Sequence, residues 1–226
     1  MDLIFPKFCS GCSRFGNYLC SDCQKSLYQS ELVCPVCEKL AVGGRTHPGC
    51  RRKYSLDGLW FLGIYQDPLK QVIQKLKYKF VSNLGQILAD LMLGYWAEFT
   101  PSFFEEIKQD PGIWVVTSVP LHPRRERWRG FNQSELLGRL LAQKMGLKYN
   151  NLLKRTRNTK PQMSLLSKDR QLNIKGAFSL ATSNQLPATN VLLVDDVWTT
   201  GSTLTECGLV LKKAGAQKIW AITLAR

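Results

Sequence analysis

From residue 58 onward the apolar positions alternate between short continuous runs and helical stripes. The runs 59–65, 113–119, 191–194 and 218–224 are rich in β-branched and aromatic residues, the pattern of strands buried on both faces. Leu69, Val72, Ile73 and Leu76 recur at helical spacing and predict a helix over 68–79, with Lys70, Lys75, Lys77 and Lys79 supplying its charge. A second amphipathic helix is predicted over 84–99. Leu136, Leu137, Leu140 and Leu141 mark a third over 133–145, and a fourth over 204–214 ends at Gly215. The stretch 101–111 reads as a polar, partly helical connection, 162–176 as basic and partly helical, and 177–180 as extended. Strands alternating with helices predict an α/β fold with a doubly wound, mostly parallel sheet. The nearest approach to a membrane span, 86–99, is short of the roughly 20 apolar residues needed and is interrupted by Asp90 and Glu98, so no integral membrane segment is expected.

Residues 1–57 follow neither period and are expected to form a small separate head, with 58–226 as the main domain. Seven of the eight cysteines lie in this head. They form the pairs Cys9/Cys12, Cys20/Cys23 and Cys34/Cys37, and His47/Cys50 repeats the spacing. A gap of two residues lets both side chains of a tight turn reach one metal, and two such turns complete a tetrahedral sulfur or sulfur–nitrogen site suited to zinc. One or two structural zinc ions are expected. Sequential pairing keeps each loop short and is preferred, while interleaved pairing stays open. Metal binding would supply folding energy that so small an apolar content does not. Cys207 stands alone on the last helix and reads as a small buried hydrophobe.

Lys and Arg outnumber Asp and Glu by 31 to 17, a net charge of +14 with neutral histidines. That excess points to polyanions: nucleic acid, phosphorylated ligands or an anionic membrane surface. The start, MDLIFPKFC, lacks the basic and long apolar segments of a signal peptide, so a cytoplasmic protein is expected, reaching the inner face of the membrane only through partners. In that compartment paired cysteines favour metal over disulfide.

The densest chemistry lies in VLLVDDVWTTGST, residues 191–203. A buried strand leads to two adjacent carboxylates, Asp195 and Asp196, then to the turn Thr199, Thr200, Gly201, Ser202 and Thr203, then to a helix start. Backbone N–H groups of such a turn and the helix N-terminus attract phosphate, and the hydroxyls add donors. The carboxylates stand where vicinal ribose hydroxyls would donate to them. A Walker A loop would require a Lys that is absent, and a dinucleotide fingerprint would require more glycines than Gly201. The string resembles the phosphoribosyl pyrophosphate (PRPP) motif of type I phosphoribosyltransferases. The resemblance implies that Asp195 and Asp196 are catalytic and hold the ribose, that residues 199–203 cradle the 5′-phosphate, and that Ser118, Val119, Pro120 and Leu121 line the pyrophosphate with Mg²⁺ bridging.

After Leu121 comes HPRRERWRGFNQ, in which Arg124, Arg125, Arg127 and Arg129 surround Trp128. Closely spaced like charges repel unless an anion is near, and aromatic side chains among them suit stacked bases. A second cationic stretch includes Arg155, Lys160 and Arg170. With Arg124, Arg125, Arg127, Trp128 and Arg129 these residues are the candidate single-stranded-DNA contacts. His122, followed by Pro123, reads as part of a structural turn.

The cysteine pairs, PLHPRRERWRGFNQSELL, RTRNTKPQMSLLSKDRQLNIKGAF and VLLVDDVWTTGST together resemble the ComF/ComFC family, over nearly the whole chain. Many of that family's members carry cysteine where His47 stands. The resemblance implies a zinc-binding head, a type I phosphoribosyltransferase fold, DNA uptake during natural transformation, single-stranded-DNA binding, and work beside a DNA-translocating competence helicase. The alternative is an active Mg²⁺-dependent phosphoribosyltransferase of nucleotide metabolism with no direct DNA role.

Overall fold

The computed structural model describes residues 7–27, 31–76, 82–99, 101–159, 172–182, 186 and 189–226. Its strands are β1 (Gly58–Gly63), β2 (Trp114–Ser118), β3 (Lys148–Tyr149), β4 (Leu153–Arg155), β5 (Phe178–Leu180), β6 (Asn190–Val197) and β7 (Ile219–Ala225). Its helices are α1 (Ser21–Lys25), α2 (Leu69–Leu76), α3 (Ser82–Phe99), α4 (Ser102–Gln109), α5 (Pro123–Arg129), α6 (Gln133–Met145) and α7 (Ser202–Lys213). Five strands form one sheet in the order β1-β7-β6-β2-β3, with every pairing parallel. β4 and β5 form a separate antiparallel ladder. The expected α/β architecture is therefore present, with the main sheet wholly parallel.

Alternation along the strands sorts the core into two faces. Trp60, Leu62, Val116, Leu192, Val194, Trp220 and Ile222 pack with α2, α3, α4 and α6. Leu59, Phe61, Val115, Val191, Leu193, Ile219 and Ala221 pack with α7 and the β4–β5 ladder. A period of two along each strand with helices on both sides is the doubly wound arrangement. On the first face Trp60, Trp96, Phe103 and Trp220 form a run of ring contacts 4.9–5.1 Å apart. Phe103 and Ile107 give residues 101–111 a buried stripe, and the helical part expected there is α4.

The head shares this core. Leu19, Leu27, Cys9 and Cys23 are buried in the same cluster as Leu69 and Val72. A Cβ on Gly63 would lie 2.2 Å from the Leu27 carbonyl oxygen, so only glycine lets the strand pass that close. Arg45 bridges Gly58 and covers the outer edge of β1, an edge otherwise open to another strand. Asp57 accepts from the Ile219 N–H and from Lys212 Nζ, each at 2.8 Å, and so fastens the join between head and sheet.

The sheet order fixes where a ligand sits. From β2 the chain moves outward to β3, then returns to β6 on the other side. The crevice at the carboxyl ends of β2 and β6 is thus the topological switch point, the usual ligand site of open α/β sheets. β6 also runs further than its apolar residues suggest. Asp195 pairs with Thr223 and Val197 with Ala225, so both carboxylates belong to the strand itself. Among the described residues no helix is long and apolar enough to cross a membrane.

Candidate functional site at the carboxyl ends of β2 and β6

The last turn of β6 meets the first turn of α6. Ser134 Oγ donates to Asp195 Oδ1 at 2.8 Å, and the Asp196 N–H donates to the same oxygen at 2.9 Å. Gln133 Nε2 donates to Asp196 Oδ2 at 2.9 Å. α6 is started there by Asn132, whose side chain accepts from the Ser134 N–H and donates to the Val119 carbonyl. Burial, and next the adjacent Asp196 charge, push Asp195 up to about 7, while Ser134, the Asp196 N–H and Arg155 hold it down. Two carboxylates side by side in a half-buried crevice are costly without a cation or hydroxyl donors. Asn132, Gln133 and Ser134 were not among the expected site residues. The signal was present, however: Gln133 lies on the buried stripe of Leu137 and Leu141, and a core-facing stripe that turns polar in its first turn has a polar partner to meet.

Gly201 shapes the hydroxyl turn. Its φ is +66°, and a Cβ there would lie 2.2 Å from the buried Trp198 indole. Thr200 and Ser202 share a hydrogen bond of 2.8 Å between their hydroxyls. Thr199 is exposed, Thr200 and Thr203 are half-buried, and Ser202 is buried. Gly201 is the N-cap of α7 and brings no side chain to it, so the helix starts directly from the turn. Gly146 has nearly the same φ, +67°, with nothing within 4 Å of a Cβ. Gly201→Ala is therefore expected to cost roughly 2–4 kcal/mol, and Gly146→Ala roughly 1 kcal/mol. Thermal denaturation of both variants compares the clash plus strain with strain alone; equal losses would show that the indole yields.

The β2 exit is more structural than the sequence suggests. Ser118 is buried and its hydroxyl donates to Tyr149 Oη at 2.7 Å, since the tyrosine donates onward to Asn151. Burial outweighs that contact and pushes Tyr149 up to about 12. Val119 is buried, donates its N–H to Val194 and accepts from Asn132, so it tethers β2 to β6 and α6. Pro120 and Leu121 are half-buried beside the crevice. His122 Nδ1 accepts from the Arg124 N–H and caps α5, in keeping with the structural turn expected there.

α5 divides the basic residues. Arg124, Arg127 and Trp128 are exposed, with Trp128 at 86%. Arg125 and Arg129 are half-buried; Arg125 donates to the Thr159 carbonyl, and Arg129 Nη1 donates to Gln133 Oε1 at 2.5 Å. Arg155, expected on a DNA-facing surface, is instead buried in the β4–β5 ladder, over the Phe178 ring and bonded to Thr159. The alternation of β4 turns Lys154 outward and Arg155 inward. Lys160 and Arg170 lie outside the described residues.

The eight candidate ligands of the head fall into two groups, Cys9/Cys12/Cys20/Cys23 and Cys34/Cys37/His47/Cys50, each with its donor atoms within 4.8 Å of one another. The sequential pairing is the one observed. Cys20 Sγ lies 3.7 Å from both Cys9 Sγ and Cys12 Sγ. A zinc ion with bonds of about 2.3 Å to tetrahedral sulfurs requires roughly 3.8 Å. Cys37 Sγ lies 3.4 Å from His47 Nδ1, and the other ring nitrogen meets the Leu40 carbonyl at 2.9 Å, the arrangement that orients a metal-binding imidazole. Burial opposes ionisation of Cys9, but N–H groups of Cys20, Cys12 and Gly11 outweigh it and lower the thiol to about 6. Both groups therefore fit zinc.

Comparisons with other proteins agree along almost the full length. The chain is 37% identical over 214 residues to "Competence protein F" of Haemophilus influenzae, covering 93% of this chain and 91% of that protein. It is 31% identical over 216 residues to "DNA utilization protein YhgH" of Escherichia coli K12, covering 92% and 90%. It is 26% identical over 214 residues to "Competence protein ComFC" of Streptococcus pneumoniae, covering 92% and 87%. No family model matches the chain.

Proposed function

Because the chain belongs to the ComF family of competence proteins, we propose that it acts in the use of incoming DNA, with a magnesium–PRPP site at the β2–β6 crevice and a single-stranded-DNA surface on α5. The names of the relatives support the competence and DNA-utilisation role. One observation carries the PRPP reading: the adjacent Asp195 and Asp196, fixed by Ser134 and Gln133, stand beside the start of α7, which Gly201 shapes. Ribose hydroxyls donate to the carboxylates, and the phosphate accepts from the backbone N–H groups and the hydroxyls of residues 199–203. Mg²⁺, a hard cation, suits oxygens of the pyrophosphate and ribose.

Calorimetric titration of PRPP with Mg²⁺ into the zinc-loaded protein tests the site. Saturable heat is expected; its absence, together with failure to displace a ribose-5-phosphate probe, would leave the crevice as scaffold.

The DNA reading rests on the exposed face of α5. Arg124 and Arg127 have no ion-pair partner among the described residues, and Trp128 offers a stacking surface beside them. Replacing Arg124 and Arg127 together by Gln is expected to weaken oligonucleotide binding. It should also flatten the slope of log affinity against log salt by about 1.4, at roughly 0.7 per phosphate on a single strand. An unaltered slope would move the DNA elsewhere.

A further inference from the structure

The acidic pair and the basic helix are joined by an unbroken chain of hydrogen bonds. Arg129 Nη1 donates to Gln133 Oε1 at 2.5 Å, and Gln133 Nε2 donates to Asp196 Oδ2 at 2.9 Å. One amide thus has its oxygen bound to a guanidinium and its nitrogen bound to a site carboxylate. A cation on the oxygen polarises the amide and strengthens the N–H donor at its other end. Gln133 is 5% exposed and is anchored in the first turn of α6. Arg129 is half-buried and is the last residue of α5, the helix whose outer face carries Arg124, Arg127 and Trp128. The inner end of the chain is therefore fixed, and the outer end is within reach of whatever binds α5.

We propose that Gln133 is a positioning residue for Asp196, and that a nucleic-acid phosphate drawing on Arg129 loosens its hold, so that single-stranded DNA and magnesium–PRPP weaken each other's binding. The inference rests on the function proposed above. The bond from Arg129 to Gln133 Oε1 has charge on the donor alone, whereas a phosphate adds the opposite charge and a second oxygen for bidentate pairing, so phosphate wins the competition for Arg129. Gln133 Oε1 is then a buried acceptor without its donor, and the amide turns to find another. Asp196 loses its N–H contact while Asp195 keeps Ser134. The pair is no longer held ready for ribose and Mg²⁺, and PRPP affinity falls. Linkage makes the effect reciprocal: bound PRPP weakens DNA by the same factor.

The test measures magnesium–PRPP affinity of the full chain with and without a saturating thymidine oligonucleotide, at about 0.15 M salt, where charges more than about 8 Å apart are largely screened. Wild-type protein is expected to lose about tenfold in PRPP affinity when DNA is bound. Gln133→Leu removes the link, and Arg129→Met removes it from the other end. In either variant the ratio of the two affinities should fall below about twofold, whatever the affinities themselves become. Arg127→Gln, on the same helix but outside the chain of bonds, should keep the wild-type ratio once DNA is saturating. A ratio unchanged in both Gln133→Leu and Arg129→Met would mean repulsion between the two anions through space and would overturn the proposal. So would a wild-type protein that binds both ligands with no coupling, a result that leaves the two sites standing. Failure of wild-type protein to bind PRPP or DNA alone would instead remove the reading beneath it, and the proposal with it.

Discussion

Asp195→Asn is expected to abolish magnesium–PRPP binding and, in the same molecule, to raise stability. Binding is lost because a carboxylate that accepts from ribose hydroxyls and draws Mg²⁺ becomes a neutral amide. Stability rises because the wild-type residue is held against its preference. Burial and the neighbouring Asp196 push Asp195 up from 3.8 to about 7. A folded value above the unfolded one means that between about pH 4 and pH 7 the folded state binds more protons, so stability falls as pH rises through that window. The penalty is absent below about pH 4 and complete above about pH 7. Converted in full it is about 4 kcal/mol, and relaxation of the crevice should leave about 2 kcal/mol. Asparagine avoids it, and its Oδ1 still accepts from Ser134 Oγ and from the Asp196 N–H. For a chain of this size the thermal midpoint should rise by about 4–8 °C at pH 8, and by little at pH 4.5. The measurement needs magnesium-free buffer without chelator, since a chelator strips the head. A variant less stable than wild type at pH 8 would mean that the pair is relieved in some other way. Undiminished PRPP affinity would remove Asp195 from the site.

That opposition between binding and stability explains why the crevice was partly legible in the sequence. A carboxylate pair at the end of an apolar run breaks the local rule for a buried strand, and such breaks mark function. The turn after it was legible for the same reason, since four hydroxyl residues in so short a stretch do not serve packing. The contacts of Gln133 and Ser134 with the acidic pair were not, because they join residues some 60 positions apart, and only the sheet order brings α6 under β6. Register accounts for the rest. β4 is three residues long, too short for a period, yet its alternation decides that Arg155 points into the core while Lys154 does not. α5 carries charge where an amphipathic helix would carry a stripe, so nothing in its sequence separated exposed Arg124 and Arg127 from half-buried Arg125 and Arg129. β1, β2, β7, α2, α3 and α6 were legible because each buries a face and must repeat at its own period.

Removing zinc is expected to do more damage than any single change in the sheet. Two ions per chain should be released by a thiol-reactive mercurial, read with a chromophoric chelator, and one ion would show that the His47 group is not filled. Cys9 and Cys23 are buried among Leu19, Leu27, Leu69 and Val72, so the first group belongs to the floor of the main core. A Cβ on Gly11 would lie 2.7 Å from Pro68 Cβ and 2.8 Å from Cys23 Sγ, which shows how closely the knuckle is pressed on the start of α2. Without metal, the Cys9 thiolate favoured by its N–H donors would sit in that floor with nothing to offset its charge. Binding energy in such sites is folding energy, about 10–16 kcal/mol in isolated zinc-finger peptides. Cys20→Ser, which removes the ligand 3.7 Å from two others, should therefore lower the thermal midpoint by more than about 10 °C. The second group lies against the β1 edge through Arg45, so Cys37→Ser should cost less there while still uncovering the edge. Equal and small losses in both variants would mean that the head is held by its apolar contacts with the sheet domain and that metal only decorates it.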